Sequence, residues 1–384
     1  MIICDVPKPG HLIRPGSHLS LVDRVVYTAL VGACFSQIHD ALNWSQGTVD
    51  FAYRLAADAT DPAWLKSQFT GWQEFREHSK SILGESQVTH AVFSDIAGFY
   101  ENIDIAMLIS DLRSANADDE SVKVLSSCLN RWAQSNSRGI PQGVSASDIL
   151  AKLYLNTVDL NIRAEGFRHV RYVDDLRVFA ESEVGAKRAL LEIVRLLRRR
   201  GLNVQSAKTE IFAKEEALRD VEQVVEKLNT VAVQLVARIH EVLGGDPYMS
   251  IPEVDDLIAR NPEDAPIRVV EEAYTTLFED PETQTFDSTL FHFLLGRLAQ
   301  ANSELPLNSE FTGYLRTHPE ETEAILTYAE KTGTASKIEA RLVAFLTSAD
   351  AIYSYQNYQI VLWMGRVLRN PRLKARDSMS TEVD

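Results

Sequence analysis

Cysteine is scarce in this sequence, with three among 384 residues: Cys4, Cys34 and Cys128. The three are scattered, and none belongs to a CxxC pair or to a Cys/His spacing that is typical of zinc ligands. A disulfide framework and a zinc site are therefore both excluded as the basis of the fold. We expect the protein to work in a reducing compartment, with the cytoplasm as the default.

Long apolar runs are missing as well. No stretch approaches the ~18 uncharged apolar residues that a membrane-spanning helix needs. The N-terminal segment, MIICDVPKPGHLIRPG, also lacks the basic region and the long apolar region of a secretory signal. We therefore expect neither secretion nor a membrane span.

An excess of basic residues is absent too, because the net charge is −15. A net negative charge argues against a polyphosphate partner, but the acidic residues are unevenly distributed along the chain. Residues 1–212 carry 23 Lys and Arg against 25 Asp and Glu, whereas residues 213–384 carry 16 against 29. Within the first half, residues 151–200 hold 11 basic against seven acidic residues. We expect that stretch to face phosphates.

The first half of the chain mixes helical and strand patterns. Apolar residues at three- and four-residue spacing predict helices over 18–43, 62–82, 144–163 and 184–200. Short apolar runs predict strands over 90–97, 202–204 and 209–212, and a hairpin over 168–181 that turns at Asp174-Asp175. Strands that alternate with helices indicate an α/β or α+β fold up to about residue 212.

Beyond residue 212 the strand patterns disappear. Helical patterns follow one another there, separated by Pro-, Gly- and Asp-rich breaks, over 215–244, 266–278, 288–301, 307–330, 336–348 and 351–369. Consecutive helices favour an α-solenoid, although no repeated sequence motif fixes a period. The polar end of the chain, residues 371–384, predicts a flexible tail.

Three carboxylates carry the strongest chemical signal. Asp174 and Asp175 repel each other at the predicted hairpin tip, and Asp95 ends a strand that would otherwise bury it against an apolar core. In an extended hairpin Asp174 and Asp175 point to opposite faces, so only one of them, for which we choose Asp174, shares a cation with Asp95. Oxygen ligands from two strands suit a pair of Mg²⁺ ions that catalyse displacement at phosphorus. The plain alternative is a solvated Asp-Asp turn.

Four segments resemble palm motifs A to D of reverse transcriptases, in that family's order and near its spacings. They are 95–103 (DIAGFYENI), 138–143 (RGIPQG), 172–175 (YVDD), and 201–203 (GLN) with Lys208-Thr209. Upstream, Arg14-Pro15 followed by 23–27 (DRVVY) resembles the fingers motif of bacterial intron-type and retron-type enzymes. The resemblance covers about residues 8–212, and we expect the N-terminal fingers segment to be short.

The resemblance implies a role for each matching residue. Asp95 and Asp174 would bind both Mg²⁺ ions, with Asp175 in support and the carbonyl of Ile96 as a further ligand. Tyr100 matches the position of the steric gate, an aromatic ring that leaves no room for the 2′-hydroxyl of a ribonucleotide. The alternative for this tyrosine is ordinary core packing.

Further residues are implied to contact the nucleotide. Gln142 and Gly143 match the motif B turn, which touches the incoming nucleotide and the template. Lys208 matches a lysine that protonates the pyrophosphate leaving group, and its alternative is a solvated lysine at a strand edge. The residues expected to hold the phosphates of the nucleotide are Lys8, Arg14 and Arg54.

The expected fold class is α+β, a right-hand polymerase palm and fingers domain followed by an all-α, HEAT-like helical-repeat C-terminal domain. The expected boundaries are 1–89 for the fingers and N-terminal part, 90–212 for the palm, 213–370 for the helical domain and 371–384 for the tail. A typical enzyme continues from the palm into a basic three-helix thumb, whereas this continuation is long, helical and acidic. That architecture resembles the bacterial abortive-infection and unknown-group reverse transcriptases, which defend against phage.

The resemblance implies an RNA-directed DNA polymerase that adds dNTPs to a 3′ end, used in antiphage defence by abortive infection. Its expected partners are dNTPs and an RNA or DNA template or product. Some members of the group synthesise DNA without a template, primed from a protein side chain, and oligomerise through the helical domain, so both properties are open here. The alternatives are a templated enzyme of the retron or group II intron type, and a non-catalytic binding protein with a decayed palm.

Overall fold

A computed structural model describes residues 1–56, 64–133, 137–222, 265–279, 286–308 and 311–368. The chain forms two compact units. Unit 1 comprises Met1–Ile3 and Pro15–Glu222, and unit 2 comprises Cys4–Arg14 and the described residues from 265 onwards. The predicted domain boundaries within these units stay predictions.

A four-stranded antiparallel sheet lies at the centre of unit 1, in the order β4-β5-β3-β6. The strands are β3 (His90–Ser94), β4 (Arg168–Tyr172), β5 (Asp175–Ala180) and β6 (Glu210–Ala213). Both faces of β3 are covered, since Val92 packs into one core while Ala91 and Phe93 pack into another. A strand buried on both faces has no polar side, which explains why Ala91, Val92 and Phe93 are consecutive apolar residues.

The helices of unit 1 pack on this sheet or on one another. They are α1 (Leu21–Ala33), α2 (Phe35–Leu42), α3 (Gln68–Gly84), α4 (Phe99–Asn102), α5 (Ile105–Ser114), α6 (Asp119–Trp132), α7 (Ser145–Ala164) and α8 (Glu183–Arg199). The central one is α7, which contacts α1, α2, α5, α8 and β4. The α8 helix begins after Ser182, whose hydroxyl accepts a hydrogen bond from the backbone of Gly185 at 3.1 Å. The predictions for 90–97, 144–163, 168–181 and 184–200 are therefore confirmed to within a few residues.

Other parts of unit 1 differ from the predictions. The predicted helix over 18–43 is interrupted at Cys34, so that α1 and α2 are bent by 56°. Apolar spacing continues through the bend because Phe35 and Ile38 enter the same core as Val31. No single helix in the described ranges is long and apolar enough to cross a membrane, and α1 with α2 has that length and composition only as a bent pair.

The strand predicted over 202–204 is wrong, because Val204 forms only an isolated bridge with Ile96. The helix predicted over 62–82 begins later, at Gln68. A two-stranded sheet of β1 (Ile2–Lys8) and β2 (Leu12–His18) was not predicted, nor were α4 to α6. The sequence pattern of β1 and β2 does not predict strands, because most of their residues are partly or fully exposed and no alternation of apolar and polar residues is needed.

Unit 2 is helical outside residues 4–14. Its helices are α9 (Ala265–Tyr274), α10 (Ser288–Gln300), α11 (Phe311–Thr317), α12 (Thr322–Lys331), α13 (Ala335–Leu346) and α14 (Ser354–Val367). The predicted helix over 307–330 is broken between α11 and α12, where Pro319 begins a short 3₁₀ turn. The predicted helix over 215–244 is described only as far as residue 222, and the rest lies outside the described residues. A HEAT-like repeat stays a prediction.

Candidate active site

The pairing of β3 with β5 brings two of the predicted carboxylates together. Ser94, the last residue of β3, pairs with Leu176 in β5. Asp95 and Asp175 are the next residues along the two antiparallel strands, so they lie side by side at one end of the sheet. Asp174 precedes Asp175 in the turn between β4 and β5. The three acids that the sequence singles out therefore meet at one edge.

The electrostatics of this edge show that the acids repel one another. Burial raises the pKa of Asp175 to about 6; the Arg177 guanidinium opposes this shift, and the charges of Asp174 and Asp95 add to it. Carboxylates held together in this way favour a bound cation. In the described ranges no three His, Cys, Asp or Glu side chains already stand in a metal-binding arrangement.

The tip of the hairpin is a tight two-residue turn. Tyr172 pairs with Asp175, so Val173 and Asp174 form the turn, whereas the sequence predicted a tip at Asp174-Asp175. Val173 has a φ of +56°, a left-handed conformation that is unfavourable for a β-branched residue. The Arg171 guanidinium donates a hydrogen bond to the Val173 carbonyl at 2.9 Å. This bond fixes the peptide that leads into Asp174.

Arg171 belongs to a buried network of charges behind the turn. Its Nη2 donates to Asp50 at 2.8 Å and to Asp159 at 2.7 Å. Lys152 Nζ donates to the same Asp50 oxygen at 2.6 Å. All four side chains are buried. Burial alone would raise the pKa of Asp159, but Arg171, together with His169, lowers it to about 2. The network therefore balances two carboxylates with two cations.

Sequence reasoning missed this network. It assigned the basic residues of 151–200 to a phosphate-facing stretch, but Lys152, Arg171 and Arg177 are buried in the palm. Arg200 also makes contacts within the palm, because it hydrogen bonds with Asp111 and lies over the ring of Tyr154. In β4 three consecutive residues, His169, Val170 and Arg171, are buried, so the strand has no exposed face at Arg171.

Tyr100 lies in α4, directly after the turn that follows Asp95. Gly98 begins this helix with a φ of +53°, which glycine adopts without steric cost. The Tyr100 ring is buried, and its hydroxyl donates to Asp148 Oδ1 at 2.7 Å. Tyr100 and Gln142 line the same cavity of 300 Å³, together with Arg138 and Asn102. The structure therefore brings the predicted gate and the predicted motif B residue together.

The motif B turn is open at its glycine. Gly143 has a φ of +90°, and no other atom lies within 4 Å of the position that a Cβ would occupy. The Gln142 carbonyl accepts a hydrogen bond from the backbone of Ser17 at 3.4 Å. A ligand can therefore approach the backbone of this turn closely.

Lys208 and Ile96 lie beside Asp95. Lys208 Nζ is 3.4 Å from Asp95 Oδ1, and its side chain is two-thirds exposed. The bridge between Ile96 and Val204 uses backbone groups on either side of Ile96. Gln205 N donates to Asp95 O, and Ala97 N donates to Asn203 O, so these two bonds do not occupy the Ile96 carbonyl. An exposed lysine paired to a carboxylate adds little stability, so this lysine is available for chemistry.

Three further residues are predicted to hold the phosphates of the nucleotide. Lys8 and Arg14 belong to unit 2, and their proposed roles stay predictions. Arg54 forms an ion pair with Glu74, with Nη1 2.6 Å from Oε2. A phosphate contact from Arg54 would have to share the guanidinium with this carboxylate.

Comparison with known proteins finds a family match over the first part of the chain. The family described as "Reverse transcriptase (RNA-dependent DNA polymerase)" matches residues 6–235. Similar solved structures include telomerase from Candida albicans in complex with a fragment of telomeric RNA, with a TM-score of 0.36, 13% identity, and coverage of 83% of this chain and 57% of that one. Apo telomerase from Candida tropicalis has a TM-score of 0.38 and 12% identity, with coverage of 89% and 54%.

This chain spans little more than half the length of those telomerase chains. None of the curated protein sequences matches it. The family match covers more than half of the chain and includes every residue of the carboxylate edge. The chain therefore belongs to the reverse transcriptase family of RNA-dependent DNA polymerases.

Proposed function

We propose that this protein is an active DNA polymerase that adds dNTPs to a 3′ end with the help of two Mg²⁺ ions. The observation that carries the proposal is the meeting of Asp95, Asp174 and Asp175 at the edge of the palm sheet. A decayed palm would have no reason to keep three mutually repelling acids together, because their repulsion costs stability unless a cation relieves it.

The residues fit a pair of hard divalent ions. Asp95 and Asp174 would hold both ions, with Asp175 and the Ile96 carbonyl in support, because Mg²⁺ prefers oxygen ligands. When bound, such ions activate the attacking hydroxyl and neutralise charge on the phosphate. Lys208, beside Asp95, is positioned to give a proton to the pyrophosphate oxygen as it leaves.

The direct test is incorporation of labelled dNTPs by the purified chain. An RNA template with a DNA primer, a DNA template with the same primer, and no template at all distinguish templated from untemplated synthesis. Each reaction is run with Mg²⁺ and with a chelator. Absence of incorporation in all three arms contradicts the proposed activity, and sequencing of nucleic acid that co-purifies with the protein identifies the natural template or product.

Replacing Tyr100 by alanine is expected to let the enzyme accept ribonucleotides. Truncation removes the ring that would clash with a 2′-oxygen, so the ratio of kcat/KM for dNTP over rNTP should fall roughly tenfold or more. The ratio is measured for both sugars in both proteins, with a thermal melt beside it. A core tyrosine would instead give an unstable protein, by about 3–5 kcal/mol, that keeps its sugar preference.

The exposed face of α8 is proposed to contact nucleic acid. Arg195, Arg198 and Arg199 are exposed, whereas Arg200 is engaged inside the palm. Changing the three exposed arginines to alanine should weaken binding and make the slope of log K against log salt shallower by about two units. The assay is fluorescence anisotropy with a labelled oligonucleotide over a salt series.

The matched control for α8 is the Arg316→Ala/Arg366→Ala variant. Both arginines are exposed, and they lie in residues 213–384, where 29 acidic residues outnumber 16 basic ones. Their loss should leave the salt slope unchanged because acidic surroundings repel phosphate. An unaltered slope in the α8 variant, or equal changes in both variants, argues against this face.

A role in antiphage defence is a further part of the proposal. Its support is the acidic, helical continuation of the chain beyond the palm, which resembles the abortive-infection and unknown-group enzymes. Plating efficiency of phages on cells that express the wild type, compared with cells that express Asp174→Asn, tests it. A templated retron or intron-like role is favoured instead if a structured RNA co-purifies and neither protein protects the cells.

A further inference from the structure

The hydroxyl of Tyr100 has a carboxylate partner that motif reasoning did not assign. It donates to Asp148 Oδ1 at 2.7 Å, a distance typical of a hydrogen bond to a charged acceptor. Asp148 lies in the first turn of α7, five residues beyond the motif B glycine. This bond therefore joins the motif A segment to the helix that follows the motif B turn.

The Asp148 carboxylate is itself held in place. The preceding residue, Ser147, is buried and hydrogen bonds with Tyr27 at 2.7 Å, which anchors the start of α7 to α1. Burial raises the pKa of Asp148 to about 6, and the Tyr100 hydrogen bond opposes that shift. The group is thus mostly a carboxylate at neutral pH, and it is a strong acceptor in a partly dry position.

The Tyr100 ring is restrained at several points. Its backbone carbonyl accepts from Ile140 N at 3.0 Å, and its ring lies 5.3 Å from that of Phe99. Among these contacts, the hydrogen bond to Asp148 acts on the hydroxyl end of the ring.

A steric gate discriminates only as well as its ring keeps its position. A ring that swings about its side-chain torsions opens space for one additional oxygen atom, whereas a ring fixed at its hydroxyl does not. We propose that Asp148 is a positioning residue that fixes the Tyr100 ring, and that selection of deoxynucleotides over ribonucleotides depends on it. This inference rests on the proposed polymerase function and on the gate role of Tyr100.

The test measures the ratio of kcat/KM for dNTP over rNTP in Asp148 variants. Asp148→Ala removes the acceptor and should lower the ratio about tenfold, which corresponds to the loss of one hydrogen bond to a charged group. Asp148→Asn keeps an oxygen acceptor of the same shape and should retain most of the selectivity, within about threefold. The asparagine variant also serves if the alanine variant folds poorly.

A double variant separates positioning from general damage. If Asp148 acts only through the Tyr100 hydroxyl, then Tyr100→Phe/Asp148→Ala should have the same ratio as Tyr100→Phe within about twofold. Asp111→Asn is the matched control, because this part-buried carboxylate also binds a single side chain, that of Arg200. It should lower the melting temperature without changing the ratio.

The outcomes are distinct. A ratio that is unchanged in Asp148→Ala, with Tyr100→Ala altered, overturns the inference and leaves the proposed function intact. A ratio unchanged in both variants overturns the gate role and the inference together. A wild-type protein that incorporates no nucleotide under any priming condition overturns the proposed function. Full additivity in the double variant shows that Asp148 acts independently of the ring, which also overturns the inference.

Discussion

Asp174→Asn and Asp95→Asn proteins are expected to fold normally and to incorporate almost no nucleotide. Loss of a residue one step removed from a metal typically lowers activity 10- to 100-fold, so loss of a direct ligand should lower it by more than about 100-fold. The side-chain volume hardly changes, and one of three repelling charges is removed. The free energy of unfolding should therefore stay the same or rise.

Primer extension with Mg²⁺ measures the activity, calorimetric titration with Mn²⁺ measures ion binding directly, and chemical denaturation measures stability. Asp40→Asn is the control. It removes the same negative charge from an exposed residue that lies far in sequence from Asp95 and Asp174. If either variant keeps more than about a tenth of the wild-type activity and its ion binding is unaltered, these aspartates are not the catalytic centre.

The second large effect is expected at Arg171. Replacement by methionine leaves Asp50 buried beside Lys152 and Asp159 buried beside His169, without the guanidinium that joins them. Breaking a buried ion pair from one side typically costs about 3–5 kcal/mol. The Val173 carbonyl also loses its donor, so activity should fall even under conditions where the protein stays folded. Urea denaturation followed by circular dichroism gives the free energy of unfolding.

A neighbouring arginine supplies the comparison. Arg168 stands in the same strand but is half-exposed, where it pairs with Glu85 on the surface. The free energy of unfolding of Arg168→Met should be close to that of the wild type, because water screens ion pairs on the surface. Equal denaturation curves for the two variants would mean that the Arg171 network does not support the turn.

The carboxylate edge could be predicted because its signals are local. Asp95 ends a five-residue strand, and Asp174-Asp175 lies between two short apolar runs, so each feature is visible within about ten residues of sequence. The resemblance to motifs A and C of the polymerases then assigned these aspartates to one site. The breaks at Cys34 and at Pro319 show the limit of periodicity, since apolar spacing can continue through a change in helix direction.

The supporting contacts could not be predicted because they join distant segments. Asp50 and Arg171 are 121 residues apart, and Tyr100 and Asp148 are 48 apart. Composition placed Arg171 in a stretch expected to face phosphates, whereas the 49–51 segment packs beside β4 and helps to bury it. The partial burial of Arg200 was missed for the same reason: an arginine's partner is set by the tertiary fold rather than by its neighbours in sequence.

The left-handed backbone at Val173 has a consequence for the cost of ligand binding. A valine at φ +56° adopts this conformation only because the Arg171 bond and the strand pairing on both sides impose it. The turn is therefore ordered during folding, when the entropy of the chain is lost once for the whole domain. Under the proposed function, ions and nucleotides would meet aspartates that are already in place, so little of the binding free energy would be lost in ordering the turn.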